Sequence, residues 1–315
     1  MIEPWSSSSG PCDLFLVADE LCASHLPTYL PRSNRIGLIK ESPNLVGGMD
    51  PQLLRRRFDR VLTHQRHLVE QGDPFVLLPF SSNFVGFRAD GAPWRCPAIE
   101  EKTRLCSLIA ATDHDLSHPG YRWRAEVCRA LAGDRRIDRY GRDSKALPDK
   151  ADGLRSYAFS IAMENAREDF YFTEKLIDCL LLGVIPLYWG CPSIARFFDP
   201  RGILSFTSLE QLQHLLDSLS FERYRQLRRY AEANFARVLA ADMADLPGYF
   251  RRALALLLDV NQPLPMGSTP FQTVTLRYGP LCRVTAAWRR WIEAFENSAL
   301  HNSAPQNRVI GPGAQ

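Results

Sequence analysis

No stretch of the 315-residue sequence offers the run of about eighteen uncharged apolar residues that a membrane-crossing helix requires. Met1 to Gly10 also lacks the basic start and apolar run of a secretory leader, so a cytoplasmic location is the expectation. Charge of one sign is scarce: 38 Lys and Arg against 35 Asp and Glu leave a net charge of +3. That balance supplies no strong field for nucleic acid, although local basic clusters can still meet phosphates. The eight cysteines include no CxxC pair and lie mostly in apolar segments, which reads as buried free thiols. No internal repeat is present, and biased composition is confined to Ser6–Ser9 and the polar tail after Asn297. What remains, 45% hydrophobic and 23% charged residues, is the make-up of a globular chain long enough for two modest cores.

The hydrophobic pattern predicts a strand in DLFLVAD from Asp13, a second at Arg35 to Ile39, and a third at Pro74 to Pro79. Between the last two, Pro51 to Gln71 reads as one long basic amphipathic helix with Leu53, Leu54, Phe58, Val61, Leu62 and Leu68 inward. On that reading His64 and His67 are ordinary helix residues. Turn-forming residues crowd RADGAPWRCP, 88–97, and mark a domain boundary. Beyond it, strand-like and helix-like segments alternate: strands at 105–110, 137–140, 157–163, 184–188 and 203–206, and helices at 120–131, 173–182 and 209–258. Such alternation implies an α/β fold with a parallel, doubly wound sheet.

The segment from Tyr157 to Ile194 carries the chemistry. A buried strand ends at Met163, placing Glu164 and Asn165 at the carboxyl edge of the sheet, where open α/β sheets bind ligands. Thr173 then caps a helix whose first-turn N–H groups and positive dipole end suit a phosphate, with Lys175 as an added cation and Glu174 beside it. Glu174 either accepts hydrogen bonds from ribose hydroxyls or simply offsets the dipole, and Lys175 either meets phosphate or stays solvated. Gly183 suits the helix end. Tyr188 and Trp189 end the next strand, where they either wall a pocket or pack between layers.

The runs FSIAMEN (159–165) and YFTEKLIDCLLLGVIPLYWGCPSIARFFDP (171–200) resemble, in order and spacing, the donor-binding signature of the α-1,3/4-fucosyltransferases, glycosyltransferase family ten. The resemblance implies a GT-B-like α/β fold of two Rossmann-type domains with a cleft between them, the N-terminal one abbreviated. Domain bounds follow: 1–98 on the acceptor side, 99–262 for the GDP-sugar, and 263–315 as a C-terminal extension. It also implies an inverting enzyme that takes L-fucose from GDP-β-L-fucose to a hydroxyl of an acceptor glycan without a metal or other cofactor, in an α-1,3/4-type linkage. By position, Asn165 matches the asparagine of the family's F-E-N, Tyr171 the tyrosine before its T-E-K, Glu174 the ribose-binding glutamate and Lys175 the phosphate-binding lysine, with Thr173 as the helix cap. Arg124, in YRWRAEVCRAL, matches the arginine aimed at the pyrophosphate, and forked guanidinium donors suit a diphosphate. Glu41, in Glu-Ser-Pro, resembles the catalytic base.

Three departures accompany the resemblance. Ala111-Thr112 stands for the family's Ser-Asn, Ser160 stands where vertebrate members carry tyrosine, and the sequence starts only a few residues before the first strand, so the acceptor side is expected to lack a strand and helix. Asp113-His114-Asp115 imitates an Asp-x-Asp metal motif, but the helix terminus, Arg124 and Lys175 already supply positive charge, so no metal is expected there. Cys282 to Phe295 mixes Trp288, Trp291 and Phe295 with arginines, which suits peripheral contact with an anionic membrane or packing across the domains. Two other readings stand beside fucosyl transfer: a same-fold transferase using another nucleotide sugar, and a carbohydrate-binding relative without turnover.

Overall fold

The computed structural model describes residues 15–23, 31–85, 94–112, 114–141 and 144–257. The expectations for the Ser6–Ser9 run, Cys12, Asp113, the 282–295 segment and the tail lie outside the described residues. All described residues belong to one compact unit spanning 12–88 and 93–263.

Two parallel sheets form the frame. The first holds β1 (Phe15–Ala18), β2 (Arg35–Ile39), β3 (Arg60–Thr63) and β4 (Phe75–Leu77) in sequential order. Three short helices connect them: α1 (Pro43–Val46), α2 (Pro51–Arg57) and α3 (Arg66–Val69). Leu54, Phe58, Val61 and Leu68 are fully buried in its core. The second sheet has the order β6-β5-β7-β8-β9, with β5 at Arg104–Ile109, β6 at Asp138–Tyr140, β7 at Tyr157–Met163, β8 at Ile185–Trp189 and β9 at Leu204–Ser205. Helices α4 (Pro119–Ala130), α5 (Glu174–Leu181), α6 (Leu209–Asp217) and α7 (Phe221–Ala240) follow along this half, and α8 (Leu246–Leu257) comes last, its Tyr249 ring 5.1 Å from that of Phe80. Every residue of β7 is buried, as expected of a central parallel strand covered on both faces. The α/β, two-sheet architecture expected from the sequence is therefore the one observed.

The long helix expected over Pro51 to Gln71 is instead helix, strand and helix. Asp50 caps α2 by accepting the Gln52 N–H at 2.9 Å, but at Phe58 the backbone turns extended, with φ −120° and ψ 148°. The next residues join the sheet: Asp59 N–H donates to the Arg35 carbonyl, and Leu62 aligns with Leu38 of β2 and Val76 of β4. The apolar spacing fits a helix, but ladder bonds on two sides decide for a strand, and tertiary pairing overrides local propensity. His64 is consequently not on a helix. It follows β3 and is fully buried.

The five strands and three helical stretches expected in the second half all lie within a residue or two of their predicted positions, the last stretch being divided into α6, α7 and α8. Gly183 ends α5 with φ +61°, the left-handed conformation that glycine reaches without steric cost. Of the six described cysteines all but Cys96 are buried, as expected.

Candidate active site

The strand order places β5 between β6 and β7, so the chain leaves β5 toward one side and later returns on the other. The carboxyl ends of β5 and β7 thus flank a topological switch point, the place where open α/β sheets bind ligands. A cavity of about 400 Å3 lies there, floored by Ala110 and Ala111 after β5 and by Ala162 and Met163 of β7, with Arg124 and Lys175 on its walls. Its volume is within the usual range for small-molecule sites, roughly 300–1,000 Å3.

Glycine brings Arg124 to this cavity. A Cβ on Gly120 would stand 1.7 Å from the Asn165 carbonyl oxygen, so the first turn of α4 lies against the Asn165 backbone only because no side chain intervenes. One turn later the Arg124 Nη1–H donates to Asn165 Oδ1 at 2.8 Å. Arg124 is 6% exposed, and its Nε–H has no partner among the described residues. A buried guanidinium with an unused donor at a cavity wall is poised for an anion.

Across the cavity, α5 begins with Thr173. Its hydroxyl accepts the Lys175 N–H at 3.4 Å, the cap that the sequence predicts. The Thr173 N–H and hydroxyl both donate to the buried Glu164 carboxylate, at 2.9 and 2.6 Å. Thr173 therefore anchors the helix start to β7, and its amide is not open to a ligand. Lys175 Nζ lies 2.9 Å from Glu174 Oε1 and 3.9 Å from Glu164 Oε2. Burial alone would raise the pKa of Glu174, but Lys175 and Lys150 outweigh it and hold the carboxyl at about 2. Burial raises that of Glu164, with Lys175 working against the shift. Glu174 is thus a firm carboxylate and Lys175 the cation between two acids.

Glu41 comes from the other sheet, just after β2. The Lys40 and Glu41 N–H groups both donate to Asp19 Oδ1, at 2.7 and 3.0 Å, and Gln65 Nε2 donates to the Glu41 carbonyl at 3.1 Å. Burial raises the Glu41 pKa first and Asp19 adds to it, while Lys40 and Lys175 oppose. That Lys175 and Glu174 act on Glu41 places the carboxylate within electrostatic reach of the α5 start. The segment after β7 closes this gap: Glu168 Oε1 accepts from Ser42 Oγ at 2.7 Å and from Asn44 Nδ2 at 3.3 Å.

Tyr171 also sits on this seam. It is 1% exposed, its ring lies 4.9 Å from that of His64, and its hydroxyl has no partner among the described residues. His64 Nε2 is 3.9 Å from Glu168 Oε2. Sequence periodicity hid His64 inside a helix that does not exist. The signal that could have exposed it is the β-branched RVLT run immediately before it. Glu164 was visible as a strand-ending acid, but its bond to Thr173 nine residues on was not.

Tyr188 and Trp189 resolve to packing. Tyr188 is 1% exposed, and its hydroxyl accepts the Cys191 N–H at 3.1 Å and donates to Glu164 at 3.4 Å. Trp189 meets Trp123 with ring centroids 6.1 Å apart. Ser160 lines the cavity, its hydroxyl donating to the Ser107 carbonyl at 3.2 Å. His114 stacks on Tyr121 at 4.4 Å, and no cluster of three metal-ligating side chains occurs among the described residues.

Fold and site together define an α/β protein with an anion-ready cleft at the switch point of its second sheet. Residues 99–237 match the model of glycosyltransferase family 10 (fucosyltransferase), C-terminal part. An α-(1,3)-fucosyltransferase of Helicobacter pylori is 28% identical over 109 residues, 35% of this chain and 22% of that protein. A GDP-fucose protein O-fucosyltransferase 3 of Bos taurus is 45% identical over 132 residues, 33% of this chain and 27% of that protein. The chain thus matches about a quarter of the length of these curated relatives. A solved α1,3-fucosyltransferase with GDP aligns over 76% of this chain and 77% of its own, at 18% identity and a TM-score of 0.47.

Proposed function

We propose that this protein transfers L-fucose from GDP-β-L-fucose to a hydroxyl of an acceptor glycan, with inversion at the anomeric carbon and an α-1,3/4-type linkage. One observation carries the reading: a single cavity at the switch point is lined by Arg124, Lys175 and Glu174, with Glu41 of the other sheet inside the electrostatic reach of Lys175 and Glu174. In this reading Arg124 and Lys175 hold the diphosphate, Glu174 the ribose, and Asn165 keeps Arg124 in place. Thr173 fixes the helix that carries Lys175, and Tyr171 supports the seam between the two sheets from its contact with His64.

The acceptor oxygen attacks the anomeric carbon as the bond to the β-phosphate oxygen breaks, and GDP leaves with the bonding electrons. Glu41 takes the acceptor's proton, and a carboxylate made more basic by burial suits that role. Negative charge growing on the leaving diphosphate meets Arg124 and Lys175 on the cavity wall, which favours the transition state over the ground state. Those cations supply the charge that a divalent ion would otherwise bring, so transfer is expected to survive EDTA.

A second acceptor class has its own support. The protein O-fucosyltransferase of Bos taurus is 45% identical over its matched stretch, so a serine or threonine hydroxyl of a polypeptide is the alternative to a sugar hydroxyl.

Calorimetric titration of the full chain with GDP, with UDP and ADP as controls and EDTA present, tests the donor site. Selective GDP binding supports it; equal binding of all three, or none, returns the choice to another nucleotide sugar or to a non-catalytic relative. Lys175→Ala should weaken GDP roughly tenfold or more, the scale of one charge-assisted hydrogen bond. Unchanged affinity would remove Lys175 from the site. Incubation with GDP-fucose and either oligosaccharide or peptide acceptors, read by product mass, then separates the two acceptor classes.

A further inference from the structure

Phe84 is 50% exposed, yet it is held in place. Its N–H donates at 2.8 Å to Asp178 Oδ1, and Asp178 is a fully buried acid on α5, one turn beyond Glu174. The same carboxylate lies 2.6 Å from Lys150 Nζ, and that ammonium lies 5.5 Å from the centre of the Phe84 ring. Both side chains line the cavity that Arg124, Glu174 and Lys175 line. One buried acid thus holds a half-exposed aromatic ring and a cation close together on the cavity wall, a helical turn along α5 from the groups assigned to diphosphate and ribose.

We propose that Phe84 and Lys150 form the nucleobase subsite, with the base stacked on the Phe84 ring and the Lys150 ammonium donating to the O6 and N7 acceptors of guanine. This rests on the nucleotide-donor reading and deepens it. Aromatic faces stack on any base, so Phe84 supplies affinity without choice. Lys150 supplies the choice: guanine offers two acceptors on that edge, whereas adenine presents an amino donor at position 6. Asp178 leaves the ammonium further N–H donors, and those are the ones a base edge would meet.

The test is titration of the full chain with GDP, inosine diphosphate, the diphosphate of 2-aminopurine riboside, which lacks O6, and inorganic pyrophosphate. Phe84→Ala removes an exposed ring and should weaken GDP roughly tenfold or more while leaving pyrophosphate affinity unchanged. Wild-type protein should bind inosine diphosphate much as GDP and the analogue lacking O6 roughly tenfold or more weakly. This nucleotide comparison avoids Lys150→Met, which would strand the buried Asp178 charge and could prevent folding. GDP binding unaltered in Phe84→Ala, or equal binding of the analogue lacking O6, overturns the proposal alone. Wild-type protein that binds no GDP overturns the donor reading itself.

Discussion

A carboxylate serves as a base only while deprotonated, and Glu41 holds its proton more tightly than an ordinary glutamate. Burial is the largest cause, Asp19 adds to it, and Lys40 and Lys175 restrain it. In the proposed role of base the unprotonated form is the active one, so transfer should fall as pH drops through a value above the usual 4.5. Glu41→Gln should abolish that acidic limb and lower the transfer rate roughly a hundredfold or more while sparing GDP affinity. Initial rates across the acidic range decide it, since a limb that persists in the variant assigns the base to another group. The Glu-Ser-Pro turn was legible in the sequence, but the cause of the raised pKa was not. Asp19 stands twenty-two residues earlier, and only the parallel pairing of β1 with β2 brings it to the Glu41 N–H.

At the scale of elements, the loop from Ala166 to Phe170 decides where Glu41 can be. Ser42 caps α1 by accepting the Asn44 N–H, and the same hydroxyl donates to Glu168 Oε1 at 2.7 Å. The cap keeps the turn local, and the bond to Glu168 ties that turn to the second half. Glu168→Ala should leave the cap intact but let the Glu41 turn drift, slowing transfer roughly tenfold or more because small displacements of a reacting group are costly. GDP affinity should stay as it was, since Glu168 does not line the cavity. Glu168→Gln keeps an oxygen for Ser42 and should restore most of the rate. Wild-type turnover in Glu168→Ala would show that the strap positions nothing. The sequence revealed the β7 and α5 elements around this loop, because a seven-residue buried run and a Thr-Glu-Lys cap are local signals. It misread the 51–71 segment because the deciding contacts there belong to β2 and β4, not to neighbours along the chain.

Across the whole molecule, two kinds of link join the halves, and their energetics differ. Arg66 of α3 reaches Asp169 at 2.8 Å, but its side chain is 58% exposed, and such pairs contribute about 0–1 kcal/mol. The crossing segment after β4 is tied more deeply. Asn83 Nδ2 donates to the Ala244 carbonyl at 2.8 Å, and Arg252 of α8 donates to Ser81 Oγ at 2.6 Å and to the Pro79 carbonyl at 3.3 Å. None of this was legible beforehand, since partners some 170 positions apart carry no periodic signal, whereas the two-sheet alternation itself was plain. The connection is therefore anchored by polar bonds to α8 and the turn before it. Arg252→Ala leaves a buried hydroxyl and a carbonyl without their donor and should cost about 1–3 kcal/mol. Arg66→Ala should cost less than about 1 kcal/mol. Urea unfolding of both variants ranks the links: a midpoint lowered more by Arg66→Ala than by Arg252→Ala would mean that the exposed ion pair, and not the anchored segment, holds the two sheets together.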